Sequence, residues 1–153
     1  SLALVSDAGT PTISDPGVLL VDRVRKELPN VSIIALPGAS ALVTALSSSG
    51  ITSSSFTFYG FMPHKKGRET LFKTIAESDT TSVFYESVHR IEKTLESLAT
   101  TLPETRQVVI ARELTKMHEE VIRASAKEVK EYFETNKDHI RGEFVVIVEG
   151  KKK

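Results

Sequence analysis

The segment Ser6-Asp7-Ala8-Gly9-Thr10-Pro11-Thr12-Ile13-Ser14-Asp15-Pro16-Gly17 lies between a short apolar run, Leu2 to Val5, and an amphipathic segment, Val18 to Leu28. A strand that opens into a small, polar, Gly/Pro-punctuated loop and then a helix is how an α/β sheet presents backbone to a ligand. Gly9 lets the chain pass close to a bulky group, and Pro11 and Pro16 stiffen the loop. Asp15 followed by Pro16 reads as an N-cap and a first helical position. The segment reads either as a well-capped connection or as a binding loop. Its length favours the second, because connections of this kind usually take about 2–6 residues.

The pattern then continues as βαβα. Helix one is expected from Pro16 to Leu28 with Leu20, Val21, Val24 and Leu28 inward, stopped at Pro29-Asn30. Val31 to Leu36 reads as a second strand, apolar enough to be covered on both faces. Pro37-Gly38-Ala39-Ser40-Ala41 turns it into a helix with Leu42, Val43 and Leu46 inward and Gly50 as its stop. Such a succession implies parallel strands. The Ser/Gly-rich stretch Ser47 to Ser55 marks the expected lobe boundary, giving an N-terminal α/β lobe over 1–56 and a C-terminal lobe over 57–153.

In the second lobe, strands are expected at Phe56–Tyr59, Thr81–Tyr85, Arg106–Arg112, His118–Arg123 and Glu143–Glu149. Helices are expected at Lys65–Glu77, along the stripe Val88, Ile91, Leu95, Leu98, Leu102, and from the capping box Ser125–Glu128 to about Glu134. Lys151 to Lys153 reads as a frayed basic tail. The fold class is therefore α/β in two lobes, a truncated parallel-sheet lobe followed by a mixed-sheet lobe. Ser1 has no initiator Met and leads straight into a strand, so the chain is expected to lack an N-terminal portion.

Bulk properties narrow the partners. With 20 basic and 20 acidic side chains the formal charge is zero, so a nucleic acid would have to be held by a local patch. The chain has no cysteine, which excludes disulfides and thiolate metal sites and suits a reducing compartment. No apolar run approaches the roughly 18 residues that a bilayer span requires, so no membrane partner is expected.

Three polar constellations stand out besides the first loop. Phe84-Tyr85-Glu86-Ser87-Val88-His89-Arg90 brings a carboxylate, an imidazole and a guanidinium to a strand–helix junction, as a site or as a capped surface pair. Ala111-Arg112-Glu113-Leu114-Thr115-Lys116, followed by His118-Glu119-Glu120, is a dense polar run after an apolar strand. His64-Lys65-Lys66-Gly67-Arg68, beside Phe61, is a compact basic patch able to hold phosphates. One His in each cluster without a third ligand makes no metal site. The first two loops lack the Walker and GxGxxG patterns.

Taken in order, SDAGTPTISDPG, LPGASALVTALSSSG, FYGFMPHKKGRE, FYESVHR, ARELTKMHEE and GEFVVIVEG resemble the tetrapyrrole-methylase-like (class III) S-adenosylmethionine-dependent methyltransferases. The FYES-x-HR and ARELTK-x-x-E segments are similar to the branch that methylates ribose 2′-oxygens in small-subunit ribosomal RNA. The resemblance covers essentially the whole chain. Members of the family begin with a strand and a Gly-rich loop ahead of the SDAGTP segment. Nothing here corresponds to them, and the chain by itself is expected to bind S-adenosylhomocysteine poorly.

The resemblance implies S-adenosyl-L-methionine as cofactor, in a cleft between two α/β lobes. Its contacts would fall on Asp7, Ala8, Gly9 and Thr10, on Pro37 and Gly38, on Arg112 and Thr115, and on Gly142 and Glu143. Methyl transfer from a sulfonium to a ribose hydroxyl asks the protein mainly to align the oxygen and remove its proton. Glu86, Glu113 and Lys116 are the candidates for that base. His64, Lys65, Lys66, Arg68 and Arg90 would hold RNA. It further implies a cytoplasmic homodimer acting on small-subunit ribosomal RNA. Two other readings stay open, methylation of a tetrapyrrole or other small molecule on the same fold, and a non-catalytic RNA-binding module.

Overall fold

The computed structural model describes residues 1–152, and Lys153 of the basic tail lies outside the described residues. Two compact units are distinguished, one spanning Ser1–Ala41 and one from Leu42 onward.

The second unit is built on a five-stranded sheet of β1 (Phe56–Phe61), β2 (Thr81–Ser87), β3 (Gln107–Arg112), β4 (Glu120–Ser125) and β5 (Glu143–Val148). Their spatial order is β1-β2-β5-β3-β4. The β1–β2 pair is parallel, and β2–β5, β5–β3 and β3–β4 are antiparallel. Parallel neighbours need a crossover, which the helix α3 (Arg68–Glu77) supplies between β1 and β2. The further α-helices among the described residues are α1 (Val18–Glu27), which belongs to the first unit, α2 (Ala41–Ser49), α4 (Ile91–Thr101) and α5 (Ala126–Thr135).

Strand residues alternate between two covered faces. Phe84, Val108, Ile110, Phe144, Val146 and Val148 pack with Phe72 and Ile75 of α3, Ile91, Leu95 and Leu98 of α4, and Val129 and Phe133 of α5. On the other face Val83, Val109, Ala111, Val145 and Ile147 pack with Leu42, Ala45 and Leu46 of α2 and with Ile51. Two-sided cover explains why β3 and β5 read as unbroken apolar runs. Each fully buried large side chain contributes about 1.5–3 kcal/mol. In α2, Leu42 and Leu46 face inward as expected, whereas Val43 is exposed and Ala45 takes its place in the core.

Helix ends are set by their own chemistry. Ser125 Oγ accepts from the Glu128 N–H at 3.3 Å, and Glu128 Oε2 accepts from the Ser125 N–H at 3.0 Å, completing the capping box of α5. Gly50 takes a φ of +64° after α2, and Arg123 Nη1 donates to its carbonyl at 2.8 Å. Arg106, whose guanidinium is pushed below its ordinary pKa by burial, donates to the carbonyl of Ala76 near the end of α3. The expected tail is tied down at its start, because the Lys151 N–H donates to Ser78 O at 2.7 Å and its ammonium pairs with Glu77 at 2.7 Å.

The first unit differs from the sequence expectation. Leu2–Val5 and Val31–Leu36 form no strands, and no residue of 1–41 is buried. A strand is defined by its ladder partner, and neither run has one among the described residues. Ile34 and Leu36 are accordingly each 79% exposed. Helix α1 buries none of its residues, and its N-cap is Gly17 at φ +120° rather than Asp15. A Cβ at Gly17 would lie 2.6 Å from the Leu4 side chain, so the entry to α1 needs glycine on two counts.

Candidate functional site

In the first unit the two expected loops meet. Thr10 Oγ1 donates to Ala39 O at 3.1 Å, linking the Asp7–Thr10 segment to the Pro37–Ser40 turn. Gly9 has a φ of +75°, and a Cβ there would sit 3.6 Å from the same carbonyl. Thr12 and Ser14 hold φ of +74° and +57° without being glycine. Such strain clusters in ligand-binding loops. Ser6 Oγ donates to Ala8 O at 2.8 Å, which folds the start of the loop back on itself. Asp7, Ala8 and Gly9 are exposed, as are Pro37 and Gly38. The carboxylate of Asp7 makes no ion pair among the described residues.

In the second unit the polar constellations lie in one row. Glu86 and Arg112 both register opposite Phe144, and Arg112 registers opposite Glu120. Side chains at one register level of a sheet share a face, here the face covered by α3, α4 and α5.

At one end of this row Glu86 is only 1% exposed. Its Oε1 accepts from the Ser87 N–H at 2.9 Å and lies 2.9 Å from Arg90 Nε. Its Oε2 accepts from Thr94 Oγ1 at 2.7 Å and from both terminal nitrogens of Arg68 at 3.2 and 3.3 Å. Both oxygens are thus engaged, which leaves a carboxylate with a structural load rather than an open proton acceptor. A buried charge of this kind is tolerated when it is paired and hydrogen-bonded. The two arginines continue outward, Arg90 Nη1 donating to Met62 O at 2.8 Å and Arg68 Nη1 to Pro63 O at 3.2 Å. Arg68 and Arg90 therefore fasten the loop that carries His64, Lys65 and Lys66. These three side chains are exposed and make no ion pair among the described residues. Thr94 was not singled out from sequence, although a polar residue on the buried stripe between Ile91 and Leu98 is its signal.

At the other end Arg112 Nε donates to Glu120 Oε2 at 2.6 Å. Tyr132 donates to the other carboxylate oxygen, and His139 Nδ1 lies 3.0 Å from the Tyr132 hydroxyl and 3.1 Å from Glu120 Oε2. Burial would raise the Glu120 carboxyl, but the hydrogen bonds from Tyr132, Arg112 and His139 outweigh it and hold the group below its ordinary value. The Tyr132 hydroxyl is pushed up to about 12, first by its bond to Glu120 and then by burial. Tyr132 and His139 come from α5 and the 3₁₀ turn after it, so sequence proximity to the ARELTK run gave no signal for them.

Beyond Arg112 the backbone turns sharply. Glu113 and Thr115 hold φ of +50° and +66°, and Gly142, beside Glu113, holds +75°. The Glu113 N–H donates to Glu143 O at 3.2 Å, and the Glu143 N–H donates to Glu113 Oε1 at 3.3 Å. Lys116 Nζ donates to Glu113 Oε1 at 2.9 Å and to Glu143 Oε2 at 3.5 Å. A Cβ on Gly142 would stand 1.8 Å from Glu113 Oε1. Only glycine admits the carboxylate here. The hydrogen bond between them lowers the pKa of Glu113 and raises that of Lys116. The sequence-expected residues Arg112, Glu113, Thr115, Lys116, Gly142 and Glu143 are thus brought together by two strand ends. Among the described residues no group of His, Asp and Glu side chains is arranged to hold a metal ion.

Comparison with known proteins decides the family. The family described as Tetrapyrrole (Corrin/Porphyrin) Methylases matches residues 1–130. The chain belongs to the tetrapyrrole methylase family. Among curated relatives of this tetrapyrrole methylase chain, it is 47% identical over 154 aligned positions to the ribosomal RNA small subunit methyltransferase I of Haemophilus influenzae, covering 100% of the chain and 54% of that protein. To the protein of the same name from Escherichia coli O157:H7 it is 44% identical, covering 99% of the chain and 53% of the relative. The chain spans about half the length of the curated relatives it matches. Among solved structures the methyltransferase CobJ superposes with a TM-score of 0.66 at 19% identity, over 93% of this chain and 62% of that one. Uroporphyrin-III C-methyltransferase from Thermus thermophilus complexed with S-adenosylhomocysteine gives 0.59 at 18%, over 92% and 62%. These two share the tetrapyrrole methylase fold.

Proposed function

We propose that this chain is part of an S-adenosylmethionine-dependent methyltransferase that modifies ribose 2′-oxygens of small-subunit ribosomal RNA. The observation that carries this reading is the 47% identity, along all of the chain, to a protein named as a ribosomal RNA small subunit methyltransferase. The basic loop favours RNA over the small-molecule substrates named for the fold neighbours. The open cations Lys65 and Lys66, with the His64 imidazole beside them, suit a phosphodiester backbone. A porphyrinoid would instead call for an apolar trough.

The first-unit loops fit the cofactor by their donor set. Glycine-rich exposed backbone around Gly9 and Gly38, with one uncommitted carboxylate at Asp7, suits a neutral adenosine and an ammonium group better than a charged phosphate. We assign cofactor contacts to Asp7, Ala8, Gly9, Thr10, Pro37 and Gly38, and further contacts to Arg112, Thr115, Gly142 and Glu143. When bound, the cofactor supplies an electrophilic methyl group on a good leaving group. The protein's tasks are then to hold the ribose in line and to receive its proton.

Glu113 suits proton acceptance better than Glu86 or Lys116. Glu86 has both oxygens engaged, and Lys116 is held protonated by its carboxylate partner. Glu113 is ionised, and only its Oε1 is taken by Lys116 and the Glu143 amide. Arg68 and Arg90 serve RNA by fixing the loop, and Lys65 and Lys66 by touching phosphate. A ribosomal RNA substrate implies a cytoplasmic site of action. A homodimer of the full-length protein completes this reading. Binding of the full-length protein to a small-subunit ribosomal RNA segment tests the substrate class. Affinity that falls steeply with salt supports RNA, and salt-insensitive binding of a porphyrinoid overturns it.

A further inference from the structure

The bulge in β1 and the Glu86 ion-pair cluster converge on Phe61, which the reading above leaves without a role. We propose that Phe61 is a stacking platform for an unpaired base of the RNA substrate, with Lys65 and Lys66 taking the phosphates that flank that nucleotide. The inference rests on the RNA reading and adds to it how the strand is held.

Three features of the geometry support this. In the parallel β1–β2 ladder Phe58 lies opposite Val83, so an unbroken register would bring Gly60 opposite Tyr85. The register shift between Phe58 and Phe61 brings Phe61 there instead, and Gly60 absorbs the bend at φ +64°. Bulges re-aim side chains in this way beside functional sites. The Phe61 ring is then braced edge-on by Tyr85, with centroids 5.5 Å apart at 62°, and Tyr85 is itself packed against Phe58 at 5.0 Å.

The chain immediately after the ring is also fixed. Met62 is 1% exposed, its carbonyl is held by Arg90, and that of Pro63 by Arg68. Phe61 itself remains 53% exposed. A lone exposed aromatic is ordinary, but this one is rigid and stands three residues before three uncompensated cationic or titratable side chains. A ligand that is planar and apolar in one part and anionic in the next matches both features, and a single-stranded nucleotide has that chemistry. An apolar protein segment would cover the ring and leave the cations unused.

The test uses the full-length protein and a single-stranded oligoribonucleotide carrying small-subunit ribosomal RNA sequence, with the same sequence as a duplex for comparison. Phe61→Ala is expected to weaken single-strand binding about 5- to 150-fold, with the slope of log affinity against log salt unchanged, because stacking releases no counterions. Phe61→Trp is expected to keep the affinity, and its indole fluorescence to be quenched by the single strand and not by the duplex. Lys65→Ala and Lys66→Ala are each expected to reduce the salt slope by about 0.7. Wild-type affinity in Phe61→Ala, or an unquenched Phe61→Trp, overturns the inference while RNA binding itself persists. Protection of Phe61→Trp by a protein partner in place of RNA also overturns it. Failure of the wild-type protein to bind RNA at all defeats the RNA reading on which it rests.

Discussion

Glu86 and Arg90, four residues apart across the end of β2, are joined at 2.9 Å, and the same guanidinium holds the carbonyl of Met62 at 2.8 Å. One buried carboxylate is thereby connected to the backbone of a loop that belongs to a different strand–helix crossover. Arg68 repeats the connection from the other side through Pro63 O. The basic loop after β1 is thereby held by the interior of the domain as well as by its own Arg68 N–H to Lys65 O bond.

Removing the carboxylate from this cluster leaves two guanidinium groups with no anion. Glu86→Gln is expected to cost the full-length protein about 3–5 kcal/mol of stability, read as a lowered urea midpoint. RNA affinity should fall as well, since Lys65 and Lys66 lose their fixed positions. An unchanged midpoint would show that the cluster is not buried as described.

Gly142 and Gly67 provide a matched comparison. Both hold positive φ, at +75° and +85°. An added Cβ at Gly67 meets nothing within 4 Å, whereas at Gly142 it would meet Glu113 Oε1 at 1.8 Å. Gly67→Ala is expected to cost only the backbone penalty of about 1–2 kcal/mol. Gly142→Ala must in addition expel the Glu113 carboxylate and break its link to Lys116. Methyl transfer should fall far more in Gly142→Ala than in Gly67→Ala, and the thermal midpoint should fall further as well. Equal activity in the two variants would remove Glu113 from the reaction.

Tyr132 and Glu120 give the stability a pH dependence at both ends. Folding raises the Tyr132 hydroxyl from its ordinary value of 10.0 to about 12. Between those values the folded state keeps a proton that the unfolded chain releases. The contribution is therefore full below about pH 10 and lost as pH rises through about 12. Folding lowers the Glu120 carboxyl, so its contribution is present above the ordinary 4.5 and lost as pH falls. Unfolding midpoints across pH should show the alkaline decline flattened in Tyr132→Phe and the acid decline flattened in Glu120→Gln.

The second unit was largely legible in the sequence because its signals are local. The stripe Val88, Ile91, Leu95, Leu98, Leu102 gave α4, although the helix begins only at Ile91, the Ser125–Glu128 box gave the start of α5, and two-sided burial wrote β3 and β5 as apolar runs. Boundaries moved where a cap depended on tertiary contacts, as at α3, which begins at Arg68 rather than Lys65. The runs Leu2–Val5 and Val31–Leu36 carry a strand's composition, yet composition supplies no ladder partner. The Glu86 cluster was half visible. Glu86 and Arg90 lie close in sequence and read equally well as a surface pair. Arg68 comes from 18 residues before Glu86 and Thr94 from 8 after it, so only the fold reveals that the carboxylate is buried. Glu120 and His139 are likewise 19 residues apart.

The most direct test of the central claim is methyl transfer by the full-length protein from labelled S-adenosylmethionine to small ribosomal subunits that lack the modification, followed by alkaline hydrolysis of the RNA. A ribose 2′-O-methyl group blocks cleavage at its own phosphodiester, because the 2′-oxygen can no longer attack the phosphate. The account predicts label recovered in an alkali-resistant dinucleotide. Absence of label in the subunits, or label released entirely in mononucleotides, would contradict it.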